Sequence, residues 1–378
     1  MRLAIFDYKI TAMNPVGSCH RRMIEQLCDA HEITVFALVF DNPRPDRVRF
    51  VRIPVPSRPL ALLFVLYHLI APLCYLAHRL RWRIRFDSIQ MVECNLAFGD
   101  ISYCHFCHRA YLRKRWKRSG ATGLRGALRW LDHTLHGLIE SWVLGRASRI
   151  IVPSRGLAAE LREEYPFVAD RIQTLANPVD LHGLEQPPTF QGESFRQAHG
   201  VMANDRVLLF VALGHFERKG LPQLLEAMRR LDDPRLRLWV VGGENDLVRA
   251  YRHRVQRMGL ADRVTFFGMQ PDVRTYFWAA DAFVLPSLYE TFSLVAFQAA
   301  AAGLPVIVTP LHGVEEFVRD GENGFLIESS APSVQRGLTR FLQTEIPTLR
   351  QMGRQARAGV QGYGTASFAA RWSAFYAA

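Results

Sequence analysis

The sequence alternates short, apolar, β-branched runs with longer segments of helical periodicity along almost its whole length. That alternation is typical of βαβ units, in which helices connect parallel strands and cover both faces of a sheet. It therefore predicts an α/β fold built on parallel sheets. The predicted strands are 3–7, 33–39, 48–53, 89–93, 101–105 and 149–152 in the first half, and 207–213, 237–241, 264–267, 282–285, 306–308 and 324–327 in the second.

Length and composition indicate two domains. A chain of 378 residues exceeds one ordinary core, and 49% hydrophobic residues with 22% charged residues can fill two. A stretch rich in proline, glycine and glutamine at 177–204 separates the halves. We expect a Rossmann-like domain over 1–175 and another over 176–362, with ligands at the carboxyl ends of the strands.

The composition also excludes several classes of protein. It does not fit a collagen-like, coiled-coil or disulfide-scaffold chain. Six cysteines are scattered unevenly, and charged residues interrupt the first ten positions before an apolar signal segment could form. We therefore expect reduced thiols and a cytoplasmic protein.

Positive charge is concentrated in the first half. Its first 171 residues hold 26 Lys and Arg against 15 Asp and Glu, a net +11 of the chain's +12. Cations interleave with aromatic residues at Arg79–Arg83 and Arg109–Arg118, beside an apolar stretch at 59–77 that a histidine and a proline make a poor membrane span. A solvated helix face is the ordinary interpretation of such runs, but the aromatic residues favour an anionic membrane surface. Nucleic acid is a weaker alternative, because no recognised nucleic-acid motif accompanies the charge.

The first candidate binding site is the turn Gly214–Gly220, which follows a strongly predicted strand and precedes a helix. Arg218 and Lys219 lie between its glycines, and the helix N-terminus adds N–H donors and a positive dipole, which suits a diphosphate. A basic pair in such a turn is more often a solvated surface. However, Lys219 is the only lysine of the second half, in a chain with four lysines and 43 arginines. That choice favours a requirement for a compact ammonium group.

The second candidate site is the strand–loop–helix segment Leu285–Leu294. Glu290 lies at the mouth of a predicted helix at 292–302, with Thr291 and Ser293 as candidate N-caps. An acidic residue there can simply complement the helix dipole. The functional interpretation is that Glu290 accepts a hydrogen bond from a sugar hydroxyl while backbone amides hold phosphate. Those amides are the ones of Phe292, Ser293 and Leu294.

About 120 residues of the second half carry further motifs around these two sites. In chain order they read FERKGLPQLLEA, VVGG, VTFFG, PSLYETFSLVAFQAAAAGLPVIV within 284–308, and GVEEFVRDGENGFLI. Together they resemble the signature of the family 4 glycosyltransferases. The F-x-R-K-G form is similar to that of members that build the lipopolysaccharide core.

The resemblance implies a GT-B fold, in which two Rossmann-like domains face a central cleft and a C-terminal helix, here 363–378, crosses back to the first domain. It also implies a retaining, metal-independent transfer of sugar from a nucleotide-sugar donor. No metal ion or cofactor is therefore expected, and the sequence has no Asp-x-Asp pair for a bridging cation.

The resemblance also assigns roles to residues of the second half. Arg218 and Lys219 would neutralise the donor diphosphate, and Glu290 matches the first glutamate of a Glu–seven residues–Glu element that contacts the transferred sugar. The second position, which binds the nucleotide ribose, is Gln298 here, an acceptor without charge assistance. The residues whose backbone would face the base are Met269 and Gln270.

Candidates in the first half are weaker. Gly17, after the first strand, would let backbone approach phosphate while Ser18 caps the next helix, although an ordinary turn and cap explains both residues. The family histidine that touches the donor sugar is matched by His105, with His108 as the alternative. The run Cys104–His108 also spells a c-type haem attachment pattern, but we favour neither haem nor zinc there. Haem is normally attached outside the cytoplasm, and the zinc ligands would lie too close together for an ordinary tetrahedral site.

The sequence thus predicts a retaining glycosyltransferase that moves a hexose to a lipid-linked, lipopolysaccharide or polysaccharide acceptor. We expect a cytoplasmic enzyme, peripheral on the inner face of the membrane, that does not bind nucleic acid. Two alternatives share the fold: a sugar-nucleotide epimerase, and a non-catalytic nucleotide-binding partner subunit, which Gln298 suggests. A nucleic-acid-binding protein is a third.

Overall fold

The computed structural model describes residues 1–116 and 123–377. Its contacts divide the chain into two compact units. The first unit consists of Met1–Pro178 and Thr365–Ala378, and the second of Val179–Gly364.

The first unit contains a sheet of parallel strands. Its strands are β1 Arg2–Ile10, β2 Glu32–Phe40, β3 Val48–Arg52, β4 Ser88–Val92, β5 Ile101–Tyr103, β6 Arg149–Val152 and β7 Ile172–Thr174. Among the described residues they pair in the order β3-β2-β1-β4-β5-β6-β7. Central strands such as β1 are buried on both faces, which explains why they read as continuous apolar runs. The sequence missed β7, which has only three residues.

The second unit contains another parallel sheet. Its strands are β8 Arg206–Val211, β9 Leu236–Val241, β10 Val264–Gly268, β11 Ala282–Leu285, β12 Val306–Val308 and β13 Gly324–Leu326. They pair in the order β10-β9-β8-β11-β12-β13 within the described chain. Each coincides with a predicted strand, so the α/β prediction with two parallel sheets is confirmed.

Helices connect the strands. They are α1 Pro15–Leu27, α2 Leu60–Trp82, α3 His108–Lys114, α4 Gly123–Arg146, α5 Arg155–Glu164, α6 Gly192–Ala198, α7 Leu221–Leu231, α8 Asn245–Arg257, α9 Arg274–Ala279, α10 Leu294–Ala301, α11 Val314–Phe317, α12 Ala331–Gln343, α13 Ile346–Gly359 and α14 Thr365–Ala377, with 3₁₀ helices at Pro166–Arg171 and Gln361–Tyr363. Of the basic segment 109–118, Lys117 and Arg118 lie outside the described residues.

Helix α14 packs on the first sheet. Its Phe368, Trp372 and Phe375 are buried in a cluster with residues of β1, β2 and α1. Its Tyr376 hydroxyl donates a hydrogen bond to the Gln90 side chain of β4. The end of the chain is therefore part of the core of the first unit.

Helix α2 is attached to the same sheet along one face. Tyr67 is fully buried, and its hydroxyl donates to the carbonyls of Phe36 at 2.8 Å and Asp7 at 3.2 Å. By length and composition α2 alone among the described helices could cross a membrane, and 22% of its most apolar window is buried. The histidine and the proline within 59–77 predict a poor membrane span, whereas the whole helix is long and apolar enough to cross a membrane. Core helices of soluble proteins also satisfy this condition of length and composition.

Two helix starts differ from expectation. Helix α1 is capped by Asn14, whose side chain accepts a 2.8 Å hydrogen bond from the Gly17 amide. The expectation that Ser18 caps this helix is therefore wrong, because Ser18 lies inside it and donates to the Pro15 carbonyl. Helix α10 begins at Leu294 and not at residue 292.

The strand orders define where ligands can bind in each unit. In the first sheet β1 lies between β2 and β4, and in the second β8 lies between β9 and β11. Connections leave such a central strand toward opposite edges, which opens a crevice at the carboxyl ends of the two adjoining strands. The turn Gly214–Gly220 and the loop Pro286–Ser293 both lie at this point of the second sheet.

Candidate functional site

The turn after β8 and the loop after β11 are in direct contact. The Leu288 amide donates to the Arg218 carbonyl at 2.8 Å. Gly220 has φ +80°, and a Cβ there would lie 2.0 Å from the Pro286 carbonyl oxygen, so only glycine permits this approach. The two predicted sites of the second half therefore form one site.

An ion pair joins the two segments. Lys219 Nζ lies 2.6 Å from Glu290 Oε1, and the two side chains are only 18% and 9% exposed. The Ser287 hydroxyl donates to the same oxygen at 2.7 Å. Among the described residues, no hydrogen bond is made to the other carboxylate oxygen, Oε2, so one acceptor of a fixed carboxylate is available to a ligand.

The electrostatics of this pair keep it charged. Burial by itself would raise the pKa of Glu290, but the Lys219 ammonium, the Arg218 guanidinium and the hydrogen bonds from Lys219 and Ser287 outweigh it, so the pKa lies below its usual value. Burial lowers the pKa of Lys219, and Glu290 opposes that shift. Glu290 is therefore a carboxylate at neutral pH and acts only as an acceptor.

The N-terminus of α10 offers donors beside this pair. Ser293, the N-cap residue, is 2% exposed, and its buried hydroxyl has no hydrogen-bond partner. The amides of Phe292 and Ser293 likewise bond to no other described residue, whereas the Leu294 amide donates to the Phe292 carbonyl. The expected set of three phosphate-binding amides therefore contains two unpaired ones, together with the Ser293 hydroxyl.

The remaining residues predicted for the second half lie at the same end of its sheet. Thr291 and the stacked ring of Phe292 precede α10, with the rings of Phe292 and Phe297 4.3 Å apart. Gln298 is half-buried on the second turn of α10. Met269 and Gln270 follow β10, two strands from β8, and the Gln270 side chain donates to the Phe267 carbonyl at 2.8 Å.

In the first unit, His105 is buried beside Tyr103 and Asn177. Its Nε2 lies 3.2 Å from Asn177 Oδ1, which also accepts the Tyr103 hydroxyl at 2.8 Å. Because Asn177 Oδ1 is an acceptor, we assign the proton to Nε2, which leaves a lone pair on Nδ1, a buried atom without a partner. Burial lowers the pKa of His105 to about 3, so the ring is neutral and Nδ1 can accept a hydrogen bond from a hydroxyl group.

Gly17 has a packing role in the structure. A Cβ on this residue would lie 2.3 Å from the Lys9 carbonyl oxygen, so glycine is needed for α1 to approach β1. Its amide is occupied by the Asn14 cap. Both observations account for Gly17 without a phosphate.

In the run Cys104–His108, the two cysteines and the two histidines are buried. His108 Nε2 lies 3.2 Å from Glu93 and its Nδ1 lies 3.0 Å from His133. No three His, Cys, Asp or Glu side chains of the described residues are grouped so as to hold a metal ion.

Comparison with known families places these sites in context. A model described as glycosyltransferase family 4 matches residues 16–182, and one described as glycosyl transferases group 1 matches residues 192–359. The chain belongs to glycosyltransferase family 4. Its two parallel-sheet units are the GT-B fold, as expected from the sequence motifs.

Relatives of this chain carry names that refer to different pathways and substrates. It is 30% identical to a D-inositol 3-phosphate glycosyltransferase of Paenarthrobacter aurescens over 60% of this chain and 56% of that protein. It is 38% identical to the lipopolysaccharide core biosynthesis glycosyltransferase LpsE of Rhizobium meliloti, over 43% and 47%. The chain thus matches only about half the length of these two relatives.

Solved structures show the same fold. WaaG, a glycosyltransferase involved in lipopolysaccharide biosynthesis, superposes with a TM-score of 0.78 at 20% identity over 99% of both chains. Anabaena HepE in complex with UDP-glucose gives 0.76 at 18% identity over 100% of this chain and 99% of that one.

Sequence reasoning missed residues that hold the site in place. Ser287 fixes Glu290, and its only signal was its position three residues before the glutamate in the same loop. Asn177, which orients His105, lies 72 positions away along the chain. No local pattern links those two residues.

Proposed function

We propose that this glycosyltransferase moves a hexose from a nucleotide-diphosphate sugar to a lipid-linked, lipopolysaccharide or polysaccharide acceptor, with retention of configuration and without a metal ion. The observation that carries the proposal is the buried pair of Lys219 and Glu290 beside the unpaired donors at the start of α10. It combines a carboxylate acceptor for a sugar hydroxyl with cations and N–H groups for a diphosphate.

The donor diphosphate would bind at the N-terminus of α10. The Ser293 hydroxyl and the amides of Phe292 and Ser293 are donors without protein partners. Helix N-termini bind phosphate through such amides and through the helix dipole. Arg218, half-buried in the adjoining turn, supplies the positive charge that is not already paired with Glu290.

The same groups would accelerate the transfer. As the sugar–phosphate bond breaks, negative charge grows on the leaving diphosphate, and preorganised donors stabilise that charge more than the ground state. One such donor is worth about 3 kcal/mol. Glu290 Oε2 would accept a hydrogen bond from a hydroxyl group of the transferred sugar. The hydrogen bonds from Lys219 and Ser287 to Oε1 would keep the carboxylate in position.

The neighbours support this donor class. HepE was crystallised with UDP-glucose, with UDP and glucose, and with UDP. The names of LpsE and WaaG support an acceptor of the lipopolysaccharide type, whereas those of the D-inositol 3-phosphate enzymes indicate a sugar phosphate.

We further propose that the first unit docks on an anionic membrane at the cytoplasmic face. One face of α2 is buried, while its other face is apolar, exposed and followed by arginines. On α4, which contacts α2, the Arg146 guanidinium lies 4.6 Å from the exposed Trp142 ring. Apolar side chains with flanking arginines suit an interfacial helix. The exposed apolar residues of these helices include Leu62, Val65, Leu69, Leu73, Leu76, Leu80, Trp82, Leu138 and Trp142.

The proposal is tested by a thermal-shift screen across UDP-, GDP- and ADP-sugars, followed by calorimetry with the nucleoside diphosphate that stabilises the protein. A bound donor raises the melting temperature by mass action. Arg218→Ala should weaken nucleoside-diphosphate binding at least tenfold, since a charged hydrogen bond is worth about 1.5–3 kcal/mol.

The matched control is Arg229→Ala, which removes an exposed arginine paired with Glu226 on the same unit. No stabilisation by any nucleotide sugar, or equal affinity of the Arg218 and Arg229 variants, would remove the assignment. Product analysis with and without acceptor separates a transferase from an epimerase.

A further inference from the structure

Polar side chains also lie at the carboxyl ends of the central strands of the first sheet, apart from His105 and Asn177. Glu93 follows directly after β4, and Tyr8 lies near the end of β1, so the two flank the point where the strand order reverses. This is the topological equivalent of the Lys219 and Glu290 site in the second sheet. Crevices at this point of parallel sheets are where ligands bind.

Glu93 is held in an unusual backbone conformation at this point. Its φ is +51°, a left-handed value that is costly for a residue with a Cβ. Two hydrogen bonds hold Glu93 in this conformation. Its amide donates to the Tyr103 carbonyl at 3.1 Å, and its carbonyl accepts from the Ser102 hydroxyl at 2.8 Å. Its carboxyl group contacts His108 Nε2 at 3.2 Å and is 16% exposed, so a ligand can reach it.

Three polar atoms nearby are buried without partners. They are the Tyr8 hydroxyl, Asn95 Oδ1 and Asp132 Oδ1, which have no hydrogen-bond partner; Asn95 and Asp132 are only 4% and 8% exposed. His136 Nδ1 lies 3.6 Å from Asp132 Oδ1 but 2.8 Å from the Asp132 carbonyl oxygen. Buried polar atoms are nearly always hydrogen-bonded in native proteins, so orphaned ones indicate a missing ligand or water.

The carboxyl groups and the phenol are close enough to affect one another. Burial, together with the Glu93 carboxyl group, raises the pKa of Asp132 to about 6. Burial raises the pKa of Glu93 to about 7, with Asp7 adding to the shift and His136 opposing it. Burial likewise raises the pKa of Tyr8, and both carboxyl groups contribute.

We infer that Tyr8, Glu93, Asn95 and Asp132 bind hydroxyl groups of the acceptor sugar and discriminate against a phosphate at that position. The inference rests on the proposed function, because it names the chemistry of the acceptor for the same transfer. Carboxyl and amide oxygens accept hydrogen bonds from hydroxyl groups, whereas a phosphate brings negative charge and further acceptor oxygens next to two carboxyl groups. The sugar unit of the acceptor that these residues contact would thus be uncharged, unlike a sugar phosphate.

The test compares neutral and phosphorylated glycosides as probes. Binding of the octyl glycosides of glucose, galactose and mannose, and of the corresponding hexose 6-phosphates, is measured by saturation-transfer NMR in the presence of saturating UDP. We expect at least one neutral glycoside to bind the wild-type protein and no hexose 6-phosphate to displace it.

Glu93→Gln and Asp132→Asn preserve side-chain shape. At about pH 8, where both carboxyl groups are mostly ionised, each should weaken binding of that glycoside about tenfold, the effect of losing one hydrogen bond to a charged group. The control is Glu163→Gln, a half-exposed carboxyl on α5 that pairs with Lys114. UDP affinity should stay the same in all three variants, and the melting temperature of Glu93→Gln and Asp132→Asn should not fall, because each removes a buried carboxyl group whose raised pKa opposes folding at neutral pH. Weaker glycoside binding without a lower melting temperature separates ligand binding from a structural role.

Three results would overturn the inference: no neutral glycoside binds although UDP does, a hexose 6-phosphate displaces it, or neither active-site variant weakens it relative to the control. Absence of UDP binding in the wild-type protein would instead count against the proposed function. The two failures are therefore distinguishable.

Discussion

Replacement of Lys219 by methionine removes the cation from a buried ion pair and leaves the Glu290 carboxylate behind. The Nζ–Oε1 distance is 2.6 Å and both side chains are mostly buried. Breaking such a pair from one side costs about 3–5 kcal/mol. Ser287 still donates to the carboxylate, so we expect about 2–4 kcal/mol of destabilisation. For a unit of this size that corresponds to a drop of about 5–15 °C in Tm.

The pH dependence of this loss has a definite sign. In the wild-type protein the pKa of Glu290 lies below its unfolded value, so its contribution to stability is present above the unfolded pKa and is lost as pH falls through the folded pKa. Without Lys219 only Arg218 and Ser287 oppose the effect of burial, so we expect the pKa of Glu290 to rise above its unfolded value. The variant is then penalised at neutral pH and recovers as acid protonates the carboxyl group.

Calorimetric scans of both proteins at about pH 7.5 and about pH 5 measure this difference. The Tm gap between wild type and Lys219→Met should narrow at the lower pH, and Lys219→Met with Glu290→Gln should regain much of the lost stability. A gap that is small, or equally large at both pH values and in the double variant, would refute the reasoning. It would mean that the two groups are solvated in solution and not coupled.

Three further changes test other parts of the molecule. Ser293→Ala removes a buried hydroxyl without a partner; in calorimetry it should weaken nucleoside-diphosphate binding about fivefold with an unchanged Tm, and a lowered Tm with unaltered affinity would contradict the phosphate role. Gly17→Ala places a Cβ 2.3 Å from the Lys9 carbonyl, so it should destabilise the first unit by about 1–3 kcal/mol in chemical unfolding while nucleotide affinity is retained. Arg79→Glu with Arg81→Glu should reduce flotation with vesicles that contain anionic lipid at least tenfold, because each cation near such a surface adds about 1 kcal/mol; flotation that resists both charge reversal and salt would argue against electrostatic docking.

The sheets were predictable because parallel strands buried on both faces leave a continuous apolar record in the sequence. Strand β7 was missed because three residues carry too little pattern. The start of α1 was misassigned for a related reason. Asn14 and Ser18 are both good capping residues, and only the backbone shows that the helix already begins at Pro15.

The donor site was predictable in part. Arg218, Lys219 and Glu290 each occur in a loop at the end of a strand, and that position could be read from the sequence. The contact between Lys219 and Glu290 could not, because it depends on β8 and β11 being neighbours although 70 residues separate them. Glu93 was not predicted for a different reason, because a single glutamate after a strand is not part of a recognisable motif. Only the structure shows its left-handed backbone and the neighbouring polar atoms without hydrogen-bond partners.

The two sheets have the same topology around their central strands but carry opposite chemistry at the carboxyl ends. In the second sheet Arg218, Lys219 and the start of α10 present cations and N–H donors, which suit an anionic group. In the first sheet Glu93 and Asp132 present carboxyl groups, whose oxygens suit hydroxyl groups. The proposed transfer uses this asymmetry, since its donor carries a diphosphate and its acceptor offers a hydroxyl group. At the proposed acceptor position, the Glu93 and Asp132 carboxylates would repel the phosphates of a free nucleotide and so keep it from competing with the acceptor.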